Sequence, residues 1–129
     1  NFRVMGEKNF RSLQTKAAVL TKMNRTEEAM KVMEEALPLG SVTDVHFYAR
    51  SLLFQKQKDQ AFKVFKLNYD NHPDVFTTNV GMARAYSAMG DYKKALSYVK
   101  AALPQAPDDL NKTSVEAMIR KLEGKEDVN

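Results

Sequence analysis

The sequence contains no cysteine, which excludes disulfides, thiolate metal sites and cysteine nucleophiles. No apolar run approaches the roughly 20 residues of a membrane-spanning helix, and no secretory signal sequence is visible. The chain begins at Asn1 and not at Met, so we expect it to be a processed piece of a longer protein whose upstream segment carried any such signal. These absences therefore leave the compartment open.

Neither positive nor negative charge dominates the chain. The formal net charge of +4 comes from 20 basic and 16 acidic residues, far from the concentrated basic stripe of a nucleic-acid binder. The motif Lys63-Val64-Phe65-Lys66 interleaves an aromatic ring with lysines, but helical spacing places Phe65 on the core face. The sequence therefore favours an acidic partner only weakly and predicts no nucleic-acid binding.

Motifs of catalysis and metal binding are missing as well. The chain has no HExxH, GxSxG, Walker or GxGxxG pattern. His46 and His72 lie far apart in the sequence, with no carboxylate–histidine spacing typical of a metal site. We therefore predict a protein that is not an enzyme and that holds neither a metal nor a cofactor.

What the sequence does contain is an internal repeat with a period of about 34 residues. The matching positions are Ala49 and Ala83, Ala61 and Ala95, Pro73 and Pro107. A weaker upstream copy keeps the same internal offsets at Ala17, Ala29 and Ala36. A helix–turn–helix unit of this length cannot bury its apolar face alone, so it stacks on its neighbours into a solenoid.

Apolar residues at intervals of three and four predict three helix pairs and a seventh helix. We expect Asp74 and Asp91 to cap the fifth and sixth helices, and Thr113 and Glu116 to form a capping box at the start of the seventh. The predicted segments are an irregular stretch 1–8, repeats 9–40, 41–74 and 75–108, a capping helix 111–124 and a tail 125–129.

The third copy resembles the tetratricopeptide repeat, a pair of antiparallel helices. The residues that carry the resemblance are Ala83, Tyr86, Gly90, Ala95, Ala102 and Pro107, with Asn79 in place of the usual tryptophan. The second copy departs at Lys56, where glycine is common, and at Asn68, where alanine is common. The resemblance implies an all-α, right-handed α-solenoid of about three such helix pairs with a C-terminal capping helix.

The whole segment is also similar to the C-terminal helical tail of a bacterial envelope family of unknown function, whose members place a β-rich domain upstream. The stretches 44–53 and 101–108 carry this similarity. It implies a location in the periplasm or cell envelope, with the cytoplasm as the alternative, and it implies no reaction.

In tetratricopeptide arrays the first helix of each pair lines a concave groove that binds peptides or partner helices. By offset, the groove residues implied here are Arg11, Gln14, Thr15, Ala18 and Lys22 from the first copy, Thr43, His46, Phe47, Arg50 and Phe54 from the second, and Thr77, Val80, Gly81, Arg84 and Ser87 from the third. Arg50 and Arg84 lie one repeat apart, so stacking is expected to bring their guanidinium groups together as a fork for a carboxylate. Phe47 and Phe54 offer an apolar anchor beside them.

Two alternatives stay open at this stage. Each arginine can instead pair with a nearby Asp or Glu and simply solvate the groove. The helices can also form a structural tail that packs on an upstream domain or that mediates homo-oligomer formation. The lysine–asparagine clamp for chaperone tails is missing, since the corresponding residues are Gln14, Ala18, Phe47, Thr77 and Gly81.

Overall fold

The computed structural model describes residues 9–129, so the predicted irregular segment 1–8 lies outside the described residues. Within the described part the chain forms seven α-helices and no strand, which confirms the predicted all-α class. The helices are α1 Phe10–Lys22, α2 Thr26–Ala36, α3 Val42–Phe54, α4 Lys58–Asn71, α5 Phe76–Ala88, α6 Tyr92–Ala102 and α7 Asp109–Glu123. The chain divides into two compact units, Asn1–Asp44 and Val45–Asn129.

The first unit is built on the pair α1 and α2, which pack against each other. The buried apolar residues are Phe10, Leu13, Ala17, Leu20, Ala29, Met33 and Ala36. Asn9 caps α1, because its side chain accepts a 2.8 Å hydrogen bond from the Ser12 amide. Gly40 is required after α2, since a Cβ there would lie 2.7 Å from the ring of Phe10.

In the second unit, α5 packs on α4, α6 on α5 and α7 on α6. The core cluster consists of Val80, Ala83, Ala95, Val99, Ala102, Val115, Met118 and Leu122. The repeated alanines Ala83, Ala95 and Ala102 have no exposed surface. Side chains this small let neighbouring helices approach closely, and any larger residue would force them apart.

The first helix of each pair ends in the same way. Asn24, Lys56 and Gly90 follow α1, α3 and α5 with positive φ angles of 61°, 66° and 83°. The next residue then donates a backbone hydrogen bond of 2.9 Å to the carbonyl five positions back, as in Arg25 to Leu20, Gln57 to Leu52 and Asp91 to Tyr86. This is the Schellman motif, which favours glycine at the left-handed position.

The predicted cap of α5 is wrong. Asp74 has a φ of 54° and Val75 is the residue that precedes the helix. The Asp74 carboxylate instead accepts a 3.0 Å hydrogen bond from the side-chain amide of Asn79, which also donates to Gln105 at 2.9 Å. Buried polar groups need partners, and the carboxylate is the partner of the Asn79 amide. At the start of the helix the Thr78 hydroxyl donates to the His72 carbonyl at 2.6 Å.

The predicted start of the last helix is also wrong. Helix α7 begins at Asp109, and Asp108 caps it by accepting a 2.8 Å hydrogen bond from the amide of Asn111. Thr113 lies inside the helix. Asp108 is as good a cap as a threonine and occurs one turn earlier, so the helix begins there. The expected cap of α6 is present, since Asp91 accepts from the Lys94 amide at 3.2 Å.

Candidate groove site

A cavity of about 430 Å³ opens on the faces of α3 and α5. Its lining residues are Phe47, Arg50, Ser51, Leu53, Phe54, Arg84 and Asn129. Four of the residues that the sequence assigned to the groove, Phe47, Arg50, Phe54 and Arg84, are therefore brought together at one place. Their role in binding a partner stays a prediction.

Two phenylalanines form the apolar side of this cavity. Phe47 is 58% exposed and Phe54 is 88% exposed. The guanidinium carbon of Arg50 lies 6.0 Å from the centre of the Phe47 ring, at the outer limit of a cation–π contact. Aromatic rings this exposed next to a cation are typical of a surface that a partner covers.

Arg84 forms the charged side of the cavity from α5. Its side chain is half-buried, and its Nε atom has no hydrogen-bond partner among the described residues. Burial lowers the pKa of Arg84 to about 10, the positive charge of Arg50 contributes to the lowering, and Asp127 acts in the opposite direction. The guanidinium is therefore a partly desolvated cation whose buried Nε is unsatisfied within the described residues.

Neither Arg50 nor Arg84 forms an ion pair within residues 9–129. The ion pairs found there join Arg25 to Glu28 and Lys66 to Asp70. The alternative in which each groove arginine pairs with a neighbouring carboxylate is therefore not seen as an ion pair in the described part of the chain, although the charge of Asp127 acts to raise the pKa of Arg84. Both charges are available to a ligand, and their mutual repulsion favours an anionic one.

His46 lies beneath the cavity and does not line it. The sequence placed this side chain in the groove, but it is only 8% exposed, with ring centroids 5.6 Å from Phe47 and 5.7 Å from Phe65. Burial, followed by the positive charges of Arg84 and Arg50, lowers the pKa of His46 to about 4. The imidazole is therefore neutral at pH 7, and its Nδ1 has no partner within the described residues.

Of the other residues predicted for the groove, Thr77, Gln14 and Ser87 are also not part of the cavity lining. Thr77 is half-buried on α5 and is not part of the cavity lining. Gln14 is half-buried on α1, in the unit Asn1–Asp44. Periodicity assigned all three residues to a groove-facing position, but a helix face is wider than one cavity.

The segment after α7, which the sequence predicts only as a tail, packs on α5 beside the cavity. The Ser87 hydroxyl donates a 2.6 Å hydrogen bond to Asp127 Oδ1, and the Val128 amide donates to the Ser87 Oγ at 2.9 Å. The side-chain amide of Asn129 donates to the Arg84 carbonyl at 2.9 Å. A small hydroxyl at a groove-facing position was the one signal in the sequence for this contact.

The ionisation of Asp127 reflects this contact. Burial alone would raise the pKa of the carboxyl, but the hydrogen bonds from Ser87 and Asn129 favour the charged form and hold the pKa below its usual value. The Asp127 side chain is therefore ionised when the segment is bound to α5.

Among residues 9–129, no group of three His, Cys, Asp or Glu side chains is placed to hold a metal ion. None of the helices in this same range is both long and apolar enough to cross a membrane.

Comparison with known families gives two matches. One tetratricopeptide repeat model matches residues 10–39, which contain α1 and α2, and a second matches residues 80–113, from within α5 into α7. No curated protein and no solved structure shows a significant match to the chain.

Proposed function

Because this chain is a tetratricopeptide repeat protein, we propose that it binds an acidic segment of a protein partner in the cavity formed by α3 and α5. Tetratricopeptide repeats generally mediate protein–protein interactions and are typically non-catalytic. The observation that carries the finer proposal is the half-buried guanidinium of Arg84, which lines the cavity beside Arg50 and whose Nε has no partner among the described residues.

Charge complementarity argues for the acidic character of the ligand. Two arginines without carboxylate partners among the described residues lie on one cavity, and each lowers the pKa of its buried neighbour His46. A carboxylate between them would accept charge-assisted hydrogen bonds, the strongest kind available to a planar guanidinium. Binding would also relieve the repulsion between the two cations.

Phe47 and Phe54 argue for an apolar residue next to the acidic one. Both rings are exposed and both line the cavity. Covering them with an aliphatic or aromatic side chain of the partner contributes about 25 cal/mol for each Å² of apolar surface removed from water. The proposed ligand is therefore a segment that combines a carboxylate with an apolar side chain.

The test uses an array of short synthetic peptides in which acidic and apolar residues are combined or omitted. We expect binding only to peptides that carry both, and we expect Arg50→Glu with Arg84→Glu to weaken the best of them at least about tenfold, equivalent to about 1.4 kcal/mol. Fluorescence anisotropy gives the dissociation constants.

The matched control is Arg120→Glu with Lys121→Glu, because both residues are exposed on α7 and the change in net charge is the same. It should bind like the unaltered chain. An equal loss of affinity in both double variants would show that net charge alone causes the effect. Unaltered peptide binding by the groove variant would show that the two arginines take no part in recognition.

A further inference from the structure

The chain's own segment Asp127–Asn129 lies on α5 beside the cavity that the proposed function assigns to a partner, and its last residue, Asn129, lines that cavity. Ser87 contacts two consecutive residues of this segment, donating to the Asp127 carboxylate and accepting from the Val128 amide. Val128 is half-buried against the core cluster of the second unit. Asn129 then reaches the Arg84 carbonyl and lines the cavity.

These contacts are of the kind that recognises an extended peptide. One side-chain carboxylate, one main-chain amide and one side-chain amide are bound in succession, with an apolar side chain packed beneath them. On α5 the groups that bind the segment are the Ser87 hydroxyl and the Arg84 carbonyl. The hydroxyl is buried, since Ser87 is only 1% exposed. Within residues 9–129, the segment satisfies this hydroxyl both as donor and as acceptor.

Part of the segment stays accessible to solvent. Asp127 and Asn129 are both exposed, so water competes for their hydrogen-bonding groups. No ion pair between Asp127 and Arg84 is found in the described part of the chain, where the Arg84 Nε also stays without a partner.

We propose that residues 127–129 occupy a part of the partner site that lies on α5 around Ser87, next to the cavity, and that the partner presents the same chemistry there: an acidic residue followed directly by an apolar one. This inference rests on the proposed function and adds to it a contact at Ser87, separate from the carboxylate between Arg50 and Arg84, and a competitor within the chain. Since Asn129 lines the cavity, the partner's next residues enter the space between Arg50 and Phe54.

The competition has a quantitative consequence. A ligand that needs an open site binds with an affinity reduced by the fraction of molecules in which the site is open. If the segment occupies the site nine-tenths of the time, releasing it tightens the apparent dissociation constant about tenfold.

The experiment uses the full 129-residue chain and a labelled synthetic peptide with the sequence of residues 123–129. Binding is followed by NMR titration to millimolar peptide, which detects weak complexes and reports which amides move. The released variant is Asp127→Ala with Val128→Ser. The matched control is Glu126→Ala, which removes the carboxylate next to the segment. Within residues 9–129, the hydrogen bond found for Glu126 runs from its backbone amide to the Lys121 carbonyl, so the substitution should leave it intact.

We expect the peptide to bind the released variant about tenfold more tightly than the unaltered chain or the Glu126→Ala control, with shifts centred on Ser87 and Arg84. A peptide with asparagine in place of its aspartate should lose most of this affinity, and so should Ser87→Ala in the released background.

Equal affinity for the released and unaltered chains would overturn the occupancy, and so would an absence of binding to both. Neither result decides the proposed function, because the peptide array with the Arg50 and Arg84 variants tests that separately. Conversely, tight binding to the released chain that survives Arg50→Glu and Arg84→Glu would support the occupant but remove the two arginines from ligand recognition.

Discussion

Helices α3 and α5 occupy equivalent places in successive repeats, yet they present very different surfaces. They share an arginine, Arg50 and Arg84, at the same position of the repeat. At other equivalent positions α3 carries large apolar residues and α5 carries small ones. The equivalent pairs are Phe47 and Gly81, Leu53 and Ser87, and Phe54 and Ala88. Most residues that line the cavity come from α3, whereas α5 binds the segment Asp127–Asn129.

This difference shows that the repeat fixes where a side chain is placed but not its environment. Arg50 is exposed and its equivalent Arg84 is half-buried, although the two backbones follow the same pattern. Side-chain volume at the neighbouring positions decides the outcome, because small residues on α5 allow α4 and the C-terminal segment to approach. Four tests, each based on one or two substitutions, examine this comparison.

Exchanging the large and small residues should give the largest effect. A Cβ on Gly81 would lie 2.8 Å from the ring of Phe65, which is only 1% exposed. We therefore expect Gly81→Phe to lower the free energy of unfolding by about 3 kcal/mol or more, since a packed core cannot absorb the added volume. The matched change Phe47→Gly removes an exposed ring from α3, and beyond the cost of about 1 kcal/mol for glycine in a helix it should change little. Urea denaturation measures both, and similar losses in the two variants would contradict the asymmetry.

The second test concerns His46, whose equivalent on α5 is Val80; both are 8% exposed. The folded-state pKa of His46 is about 4 and its ordinary value is 6.5. As the pH falls below 6.5, the unfolded chain binds a proton at this residue and the folded chain does not, so stability decreases until about pH 4. The loss amounts to at most about 3 kcal/mol.

Replacement by the α5 residue, His46→Val, should remove this component of the pH dependence while leaving that of the carboxylates. Chemical denaturation at about pH 4.5 and about pH 7.5 gives the comparison. An unchanged difference between the two pH values in the variant would mean that the imidazole is protonated in the folded state.

The third test concerns the arginines themselves. Arg84 is partly desolvated, lies near Arg50 and has an Nε without a partner in the described residues, whereas Arg50 is exposed. We expect Arg84→Met to raise the free energy of unfolding by about 1–2 kcal/mol, because methionine keeps the apolar packing and removes a costly buried charge. Arg50→Met should stay within about 0.5 kcal/mol of the unaltered chain. Destabilisation by Arg84→Met would assign that side chain a structural role and weaken the proposed binding site.

The smallest effect is expected at the ends of the two helices. Lys56 and Gly90 are equivalent and have φ angles of 66° and 83°. The left-handed conformation strains a lysine but not a glycine, so Lys56→Gly should stabilise the fold by about 0.5–1 kcal/mol and Gly90→Lys should destabilise it by a similar amount. Thermal unfolding measures the pair, and shifts of the same sign in both variants would show that the turns are not equivalent.

Much of the local structure was predictable because it depends on neighbours in the sequence. Helical spacing identified the helices, and Asp91 identified the cap of α6, since a capping side chain bonds to an amide three positions away. The cap predicted at Asp74 was wrong because Asn79 and Gln105, the latter 31 residues away, claim its oxygen atoms. Local rules do not include partners that only folding brings near.

The candidate site shows the same division. The offset of one repeat was enough to place Arg50 and Arg84 together, because a repeat carries equivalent residues to equivalent positions. It could not show that His46 is buried, since that depends on Phe65 from α4. It also could not show that Ser87 binds Asp127, which lies 40 residues further along the chain.

Periodicity and short-range hydrogen bonds were enough to predict the helices, the tetratricopeptide repeats in residues 10–39 and 80–113, and the alignment of the two arginines. Contacts between helices determine which groove residues line a cavity, which are buried and which are covered by the chain's own C-terminal segment. Burial and long-range hydrogen bonds depend on the volumes of residues from several helices at once, and no pattern within one helix contains that information.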